Sequence, residues 1–228
     1  MTPTAIVSYD DTLNDHDALA LARVLGQAGA RLVLAYVRHT IELERTRERL
    51  EEHEAEELLE RGARWLGDLD VERRVVLSAS TGEGLKWLAE HEGAEIVVFG
   101  SDYRTAAGHV APQHSTQFLL DDSPAAIAIA PANYRSNRGP QVGRIGVLGA
   151  PGDMAAVETA HELAARLRAE VVHGGRPDLL VVGSRAEAPE GRVLISAQAQ
   201  NAIENATCPV LVVPRGVPIR FESPISVY

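Results

Sequence analysis

The sequence predicts an α/β protein with two doubly wound parallel-sheet domains, of which the second is reduced. Short apolar runs alternate with segments of helical periodicity, which is typical of strand and helix units that build a parallel sheet. The pattern also occurs twice. AEIVVFGS at 94–101 returns as PDLLVVGS at 177–184, and AAIAIAP at 125–131 returns as PVLVVP at 209–214. A repeat of this kind indicates two copies of one fold unit.

The two copies have unequal lengths. The strand-to-helix openings at 4–25 and 144–167 correspond to each other. Asp10 and Gly100 lie 90 residues apart, whereas their counterparts Ala150 and Gly183 lie 33 apart, a difference of 57. The second copy therefore lacks most of the middle of the first.

The first copy contains every unit of a doubly wound sheet. We predict strands at 4–9, 31–37, 73–78, 94–100 and 125–130, with helices at 14–27 and 40–66 and a third that opens at a capping box of Ser80 and Glu83. Right-handed crossovers then favour the strand order 3-2-1-4-5.

The second copy contains one ambiguous segment, EVVH at 170–173. Clear strands are predicted at 144–149, 178–183 and 209–213, but only 174–177 separate EVVH from the next strand. A parallel crossover needs about a dozen residues. We therefore expect EVVH to be a loop, a short edge piece or an antiparallel turn, and the second sheet to have three parallel strands.

The domain boundaries follow from composition. We predict a complete domain at 1–134, a polar linker at 135–143, a truncated domain at 144–215 and a tail at 216–228. The tail places Ile219, Phe221, Ile225 and Val227 at alternate positions. This pattern favours a strand that covers the exposed edge of the second sheet.

Composition restricts the partners. A net charge of −10 and a pI near 5.3 argue against nucleic acid, which binds to basic surfaces. The single cysteine, Cys208, fits a reducing compartment. Neither a signal sequence nor an apolar run of membrane-spanning length is present, so we expect a cytoplasmic protein without a membrane partner.

Both halves resemble universal stress protein domains, and the chain resembles the tandem-domain members found in actinobacteria. The resemblance covers nearly all of 1–214 and is most specific in IVVFGS at 96–101, SPAAIAIAP at 123–131 and ATCPVLVVP at 206–214. It implies flavodoxin-like domains of the HUP (adenine nucleotide alpha hydrolase-like) type. It also implies that the last strands of the two halves pair as an intrachain pseudo-dimer, and it leaves open whether a homodimer forms.

The resemblance implies a nucleotide site that is damaged in this chain. Nucleotide-binding relatives carry GxxGx9G(S/T) after the fourth strand and an Asp at the end of the first. Here Gly100 and Asp10 match, but Tyr103 and Gln113 replace two glycines. His114 follows Gln113, with Ser115 one position later, and His109 offers a further positive charge. The implied binding residues are Asp10, Val37, Gly100, Ser101, Arg104, Gly108, Ser115 and Thr116.

The second copy departs further from the motif. Gly183 and Ser184 match, but Ala186, Ser196 and Ala197 stand at the remaining motif positions, and Ala150 replaces the strand-end Asp. We therefore expect a regulatory or structural role for this half.

Other residues of chemical interest have simpler interpretations. Acids at 10–17 fit capping and the dipole of the following helix better than a metal site. His109 and His114 fit loop polarity, Trp65 and Trp87 fit packing, and Cys208 fits a buried small side chain.

The leading hypothesis is a non-enzymatic stress-response protein with degenerate nucleotide-binding motifs and no certain cofactor. The alternative is a stress protein that binds ATP or AMP in the first domain. A nucleotide hydrolase is a third class, against which the lack of a placed base or metal-ligand set counts.

Overall fold

The computed structural model describes residues 2–39, 45–67, 71–136 and 141–221. The first half comprises β1 (Thr4–Ser8), α1 (Leu13–Gln27), β2 (Arg31–His39), α2 (Arg45–Leu66), β3 (Glu72–Ser78), α3 (Thr81–Glu92), β4 (Ile96–Gly100), α4 (His114–Asp121) and β5 (Ala126–Ala130). A short 3-10 helix (Tyr134–Ser136) precedes the second half, which comprises β6 (Arg144–Leu148), α5 (Ala155–Leu167), β7 (Glu170–Val172), β8 (Leu179–Gly183), α6 (Ala197–Glu204) and β9 (Val210–Val213).

All nine strands of the described chain form one sheet, in the order β3-β2-β1-β4-β5-β9-β8-β6-β7. The predicted order 3-2-1-4-5 of the first half is confirmed. Neighbours are parallel within each half, and only β5 and β9 are antiparallel among the described strands. The predicted pairing of the last strands of the two halves is therefore confirmed, with Ala128 opposite Leu211 at its centre.

Helices cover both faces of the sheet because its strands are apolar on both sides, as expected for parallel strands. Side chains of α1, α2 and α5 form one cluster with alternate strand residues such as Ala128 and Leu211. Side chains of α3, α4 and α6 form the other, with Ile127 and Val210. The strand β5 is fully buried, so the junction between the halves lies in the centre of the core.

The prediction of three parallel strands in the second half is wrong. EVVH contributes β7, which pairs in parallel with β6 at the edge of the sheet, so four strands are parallel. The expectation of a short edge piece is confirmed. A long crossover is unnecessary because Val172 lies level with Gly146 while Leu179 lies level with Ile145. The chain must return by only one register position before β8 begins.

The connection from β7 to β8 passes over β6 at Gly146. A Cβ atom on Gly146 would lie 3.0 Å from Cβ and Cγ of Pro177. The Asp178 carboxylate accepts hydrogen bonds from the amides of Gly143 and Arg144, at 3.0 and 2.9 Å. The lack of a side chain at Gly146 thus permits this short crossing.

The tail differs from its prediction over its described part. Gly216–Phe221 forms no strand; Ile219 and Phe221 are buried in the cluster that contains α1 and α5. The Ile219 amide donates to Thr159 Oγ1 on α5 at 3.0 Å. Ile225, Val227 and residues 137–140 of the predicted linker lie outside the described residues, and the domain boundaries stay a prediction.

None of the helices in the described ranges has the length and apolar character needed to cross a membrane.

We expect Gly146→Ala to lower the free energy of unfolding by about 1–3 kcal/mol, because the added methyl group overpacks against Pro177. Urea denaturation measures the change. Gly149→Ala is the matched control, since its Cβ would lie 3.8 Å from Val157 Cγ2, an ordinary contact. Equal stabilities for the two variants would contradict a tight crossing over β6.

Candidate functional site

A cavity of about 770 Å³ lies beyond the carboxyl ends of β1 and β2, beside α2. The cavity lies at the end of the sheet where doubly wound folds bind ligands, but beside the switch point between β1 and β4. Two of the predicted site residues, Asp10 and Val37, line it. The remaining lining residues are Ser8, Tyr9, Tyr36, Arg38, His39, Glu54, Ala55, Glu57, Leu58, Arg61 and Thr81.

A hydrogen-bonded group joins Asp11 to the wall of this cavity. The Tyr9 hydroxyl donates to Asp11 Oδ1 and Arg61 Nε donates to Asp11 Oδ2, both at 2.7 Å. These bonds, with the charge of Arg61, hold the pKa of Asp11 below its usual range. Burial and the bond to Asp11 raise the pKa of Tyr9. Asp11 is therefore an ionised structural link between β1 and α2.

Asp15 closes the first turn of α1. Its Oδ2 atom accepts from the amides of Asp10 and Thr12, both at 3.0 Å, and from the Thr12 hydroxyl at 2.7 Å. Thr12 and Asp15 form a capping box. Burial, followed by the hydrogen bond and charge of the neighbouring Asp10 carboxyl, raises the pKa of Asp15 to about 8.

Asp17 also has a structural role. It is fully buried, and its carboxylate accepts from the amides of Asn133 and Arg135 and from the Arg135 guanidinium, at 2.8–2.9 Å. The interpretation of the acids at 10–17 as capping groups is thus confirmed for Asp15, whereas Asp17 binds a distant segment.

Ring stacking connects α1 to the end of α2. His16 lies between Tyr9 and Trp65, with ring centroids 6.0 and 5.6 Å away. Arg23 lies 4.7 Å from the centroid of Trp65 and donates to its carbonyl oxygen. Trp65 packs as predicted. The same prediction for Trp87 is wrong, because that side chain is 54% exposed and stacks on His91.

The loop that follows β4 bonds to the protein itself. The Asp102 amide donates to Ala111 O, and the amides of Arg104 and Thr105 donate to Oδ1 and O of Asp102. The amides of Gly108, His109 and Val110 donate to Ala132 O, Ala106 O and Ala206 O, in that order. The Ala111 amide donates to Ser101 Oγ. Phosphate-binding loops need amide groups that point at the ligand. These seven amides already have partners.

Gly100 and Gln113 stand at the first and third glycine positions of the family motif. A Cβ atom on Gly100 would lie 2.0 Å from the carbonyl oxygen of Asn14, so this glycine permits the close approach of α1 to β4. Gln113 Nε2 donates to the Gly100 carbonyl oxygen at 3.0 Å. The side chain at the third motif position thus covers the end of β4.

The other predicted site residues are dispersed. Ser101 and Thr116 are buried, with Thr116 Oγ1 lacking a partner among the described atoms. Arg104 is exposed and its Nε donates to the Tyr103 hydroxyl. Gly108 lines a different cavity of about 570 Å³, together with Cys208, and Ser115 is half-buried at the start of α4. A role of these residues in binding stays a prediction.

Cys208 fits its simpler interpretation, and His109 and His114 are exposed. Burial raises the pKa of the Cys208 thiol to about 11, so it is a neutral buried side chain. Within the described ranges, no three His, Cys, Asp or Glu side chains group as metal ligands do.

The comparisons with known proteins agree with this fold. Residues 132–214 match the model of the universal stress protein family. A universal stress protein from Archaeoglobus fulgidus DSM 4304 superposes with a TM-score of 0.70 and 14% identity, over 93% of this chain and 98% of its own. The fold of the whole chain is therefore that of universal stress proteins.

Two further structures were compared. A protein described as a universal stress protein from Pseudomonas aeruginosa UCBPP-PA14 covers 94% of each chain, with a TM-score of 0.63 and 14% identity. A universal stress protein in complex with cAMP covers 57% of this chain and 98% of its own, with a TM-score of 0.43 and 19% identity. No curated protein sequence matches the chain.

The second half repeats the loop of the first at a constant offset. Ser101 donates to the Ala130 carbonyl oxygen at 2.7 Å and accepts from the Ala111 amide at 3.2 Å. Ser184 does the same with Val213 and Leu194, at 2.8 and 3.2 Å. The corresponding residues are 83 positions apart. Both serines are buried, so the repeated GS pair is explained by loop closure.

The structural roles of Ser101 and Ser184 differ from the ligand-binding role that the motif implies. The recurrence of GS in the half without a strand-end Asp is the sequence signal for a structural role. The capping box of Thr12 and Asp15 was also readable, because the two residues have the spacing of such a box.

The Asp15 pKa predicts a pH dependence of stability. Between about pH 4 and pH 8 the folded protein retains a proton that the unfolded chain releases, so this group's contribution to stability falls as pH rises. The slope is at most about 1.4 kcal/mol per pH unit. Urea unfolding of wild type and Asp15→Asn between pH 5 and pH 8 should show a flatter profile for the variant. Parallel profiles would contradict the raised pKa.

We expect Ser101→Ala to cost about 1–3 kcal/mol of unfolding free energy, because it leaves the Ala111 amide without its partner. Ser184→Ala should cost a similar amount, as measured by thermal and urea denaturation. Ser115→Ala, half-buried at the start of α4, is the control. If Ser101→Ala and Ser115→Ala were equally stable, closure of the loop by Ser101 would be excluded.

Proposed function

We propose that this protein is a non-enzymatic, cytoplasmic stress-response protein of the universal stress type that does not bind ATP. It acts through its folded surface as a regulatory protein, with the two halves fixed to each other. The family of the segment 132–214 and the fold of the whole chain support the stress-protein assignment.

The main observation against ATP binding is that amides in the loops after β4 and β8 form equivalent hydrogen bonds within the protein. Asp102, Thr105, Gly108, His109, Val110 and Ala111 have counterparts 83 residues later, Arg185, Ala188, Gly191, Arg192, Val193 and Leu194, which bond to the corresponding acceptors. A triphosphate would have to break these bonds before it gained its own. The internal hydrogen bonds of these loop amides therefore compete with phosphate binding.

The ionisable groups beside the large cavity support a non-enzymatic role. Asp11 is bound by Tyr9 and Arg61, and Asp15 is buried in the helix cap. A general base must reach its substrate with a free lone pair. Both carboxyls are already bound within the protein, and Asp10 is exposed.

A second candidate function is binding of an adenine nucleotide with a short phosphate, such as AMP. The observation that favours it is that Asp10 and Val37, the two residues assigned to adenine by the resemblance, line one cavity of about 770 Å³. This volume lies within the usual range for small-molecule sites. AMP could use this cavity without the loop after β4.

Calorimetric titration with ATP and with AMP separates the two candidates. We expect ATP to bind more weakly than about 1 mM, because the loop after β4 lacks two of the motif's glycines and seven of its amides are bonded within the protein. AMP binding that is lost in Asp10→Ala but kept in Glu187→Ala would establish the second candidate. Tight ATP binding or release of phosphate would overturn the first.

A gain-of-function variant tests why ATP is not expected to bind to the wild-type protein. Tyr103→Gly, Gln113→Gly and His114→Ser together restore the glycine and hydroxyl spacing of the family motif. If Gln113 and the lost glycines are what excludes the phosphates, ATP should bind to this triple variant and not to wild type. Circular dichroism confirms that each variant is folded.

A further inference from the structure

A cavity of about 290 Å³ lies between α4 and α6, on the opposite face of the sheet from α1. Its lining consists of matched residues from the two halves, each pair 83 positions apart. The pairs are Pro112 with Ile195, Gln117 with Gln200, Leu120 with Ile203 and Asp121 with Glu204. The antiparallel pairing of β5 and β9 generates this cavity on the pseudo-two-fold axis.

The floor of the cavity is apolar and its rim is acidic. Leu120 and Ile203 are 2% and 1% exposed, whereas Asp121 and Glu204 are exposed. Gln200 Nε2 donates to Glu204 Oε1 at 3.0 Å. Within the described part of the chain, neither carboxylate forms an ion pair with a Lys, Arg or His side chain. Two acids without cationic partners thus stand at equivalent positions around an apolar floor.

We propose that this cavity binds a small linear organic dication, of the class of α,ω-diamines. The two equivalent carboxylates fit two equal ammonium ends, and the apolar floor fits the methylene chain between them. The volume is at the low end of small-molecule sites. An α-helix, with a diameter of about 10–12 Å including side chains, exceeds it. The site shares no lining residue with the cavity of Asp10, so it does not depend on nucleotide binding.

Titration calorimetry with 1,4-diaminobutane tests the site, with n-butylamine as the single-charge comparison. The diamine should bind more tightly than the monoamine. Asp121→Asn and Glu204→Gln should each weaken the diamine about three- to fivefold, as expected for an exposed ion pair, and by similar factors because the positions are equivalent. The double variant should bind diamine and monoamine equally.

The general attraction of cations to a chain of net charge −10 needs a matched control. Glu56→Gln with Glu187→Gln removes the same charge from exposed positions outside this cavity, and it should leave the affinity unchanged. The proposal is overturned if this control weakens the diamine as much as the cavity variants do, if the diamine binds no better than n-butylamine, or if no binding is detected. Each result is readable without reference to ATP or AMP.

Discussion

The antiparallel pairing of β5 with β9 is the constraint on which the rest of the structure depends. It joins two parallel half-sheets into one sheet, with Ile127, Ala128 and Ile129 opposite Val212, Leu211 and Val210. These strands are buried on both faces. The pairing also lets each loop bond across the junction: the Val110 amide donates to Ala206 O and the Val193 amide to Ser123 O. These loops are therefore part of the contact between the halves.

Repetition in this chain preserves a scaffold. Loop closure by Ser101 recurs at Ser184, and the left-handed backbone of Gly108 recurs at Gly191. The wall of the cavity that Asp10 and Val37 line does not recur in the second half. In the first half α2 and the end of β2 form that wall. In the second half β7 has only three residues and leads directly to β8, so no counterpart of α2 exists there. Truncation thus removes the cavity wall and one strand, and leaves one continuous sheet.

Fusing two copies in one chain creates features that neither copy has alone. The cavity between α4 and α6 takes half of its lining from each copy. The two copies carry different residues at equivalent positions, as the pairs Pro112 with Ile195 and Asp121 with Glu204 show. The charge of both rim positions is negative, although the side chains differ. A pseudo-two-fold axis within one chain therefore supplies a site with equivalent ends.

The sequence by itself determined the α/β class, the strand order of the first half, the pairing of the last strands and the damaged motif. The fold class and the strand order follow from apolar periodicity and from the repeat, which are local or pairwise properties of the chain. The strand pairing and the damaged motif follow from the resemblance to universal stress proteins. Tertiary structure decided the rest. It made β7 an edge strand, because the crossing at Gly146 and Pro177 needs little return along the sheet. It buried Ser101 and Thr116 while placing Asp10 on a cavity. Motif spacing shows which residue types are present. Burial and hydrogen-bond partners decide which of those residues can contact a ligand, and both depend on segments that are distant in the sequence.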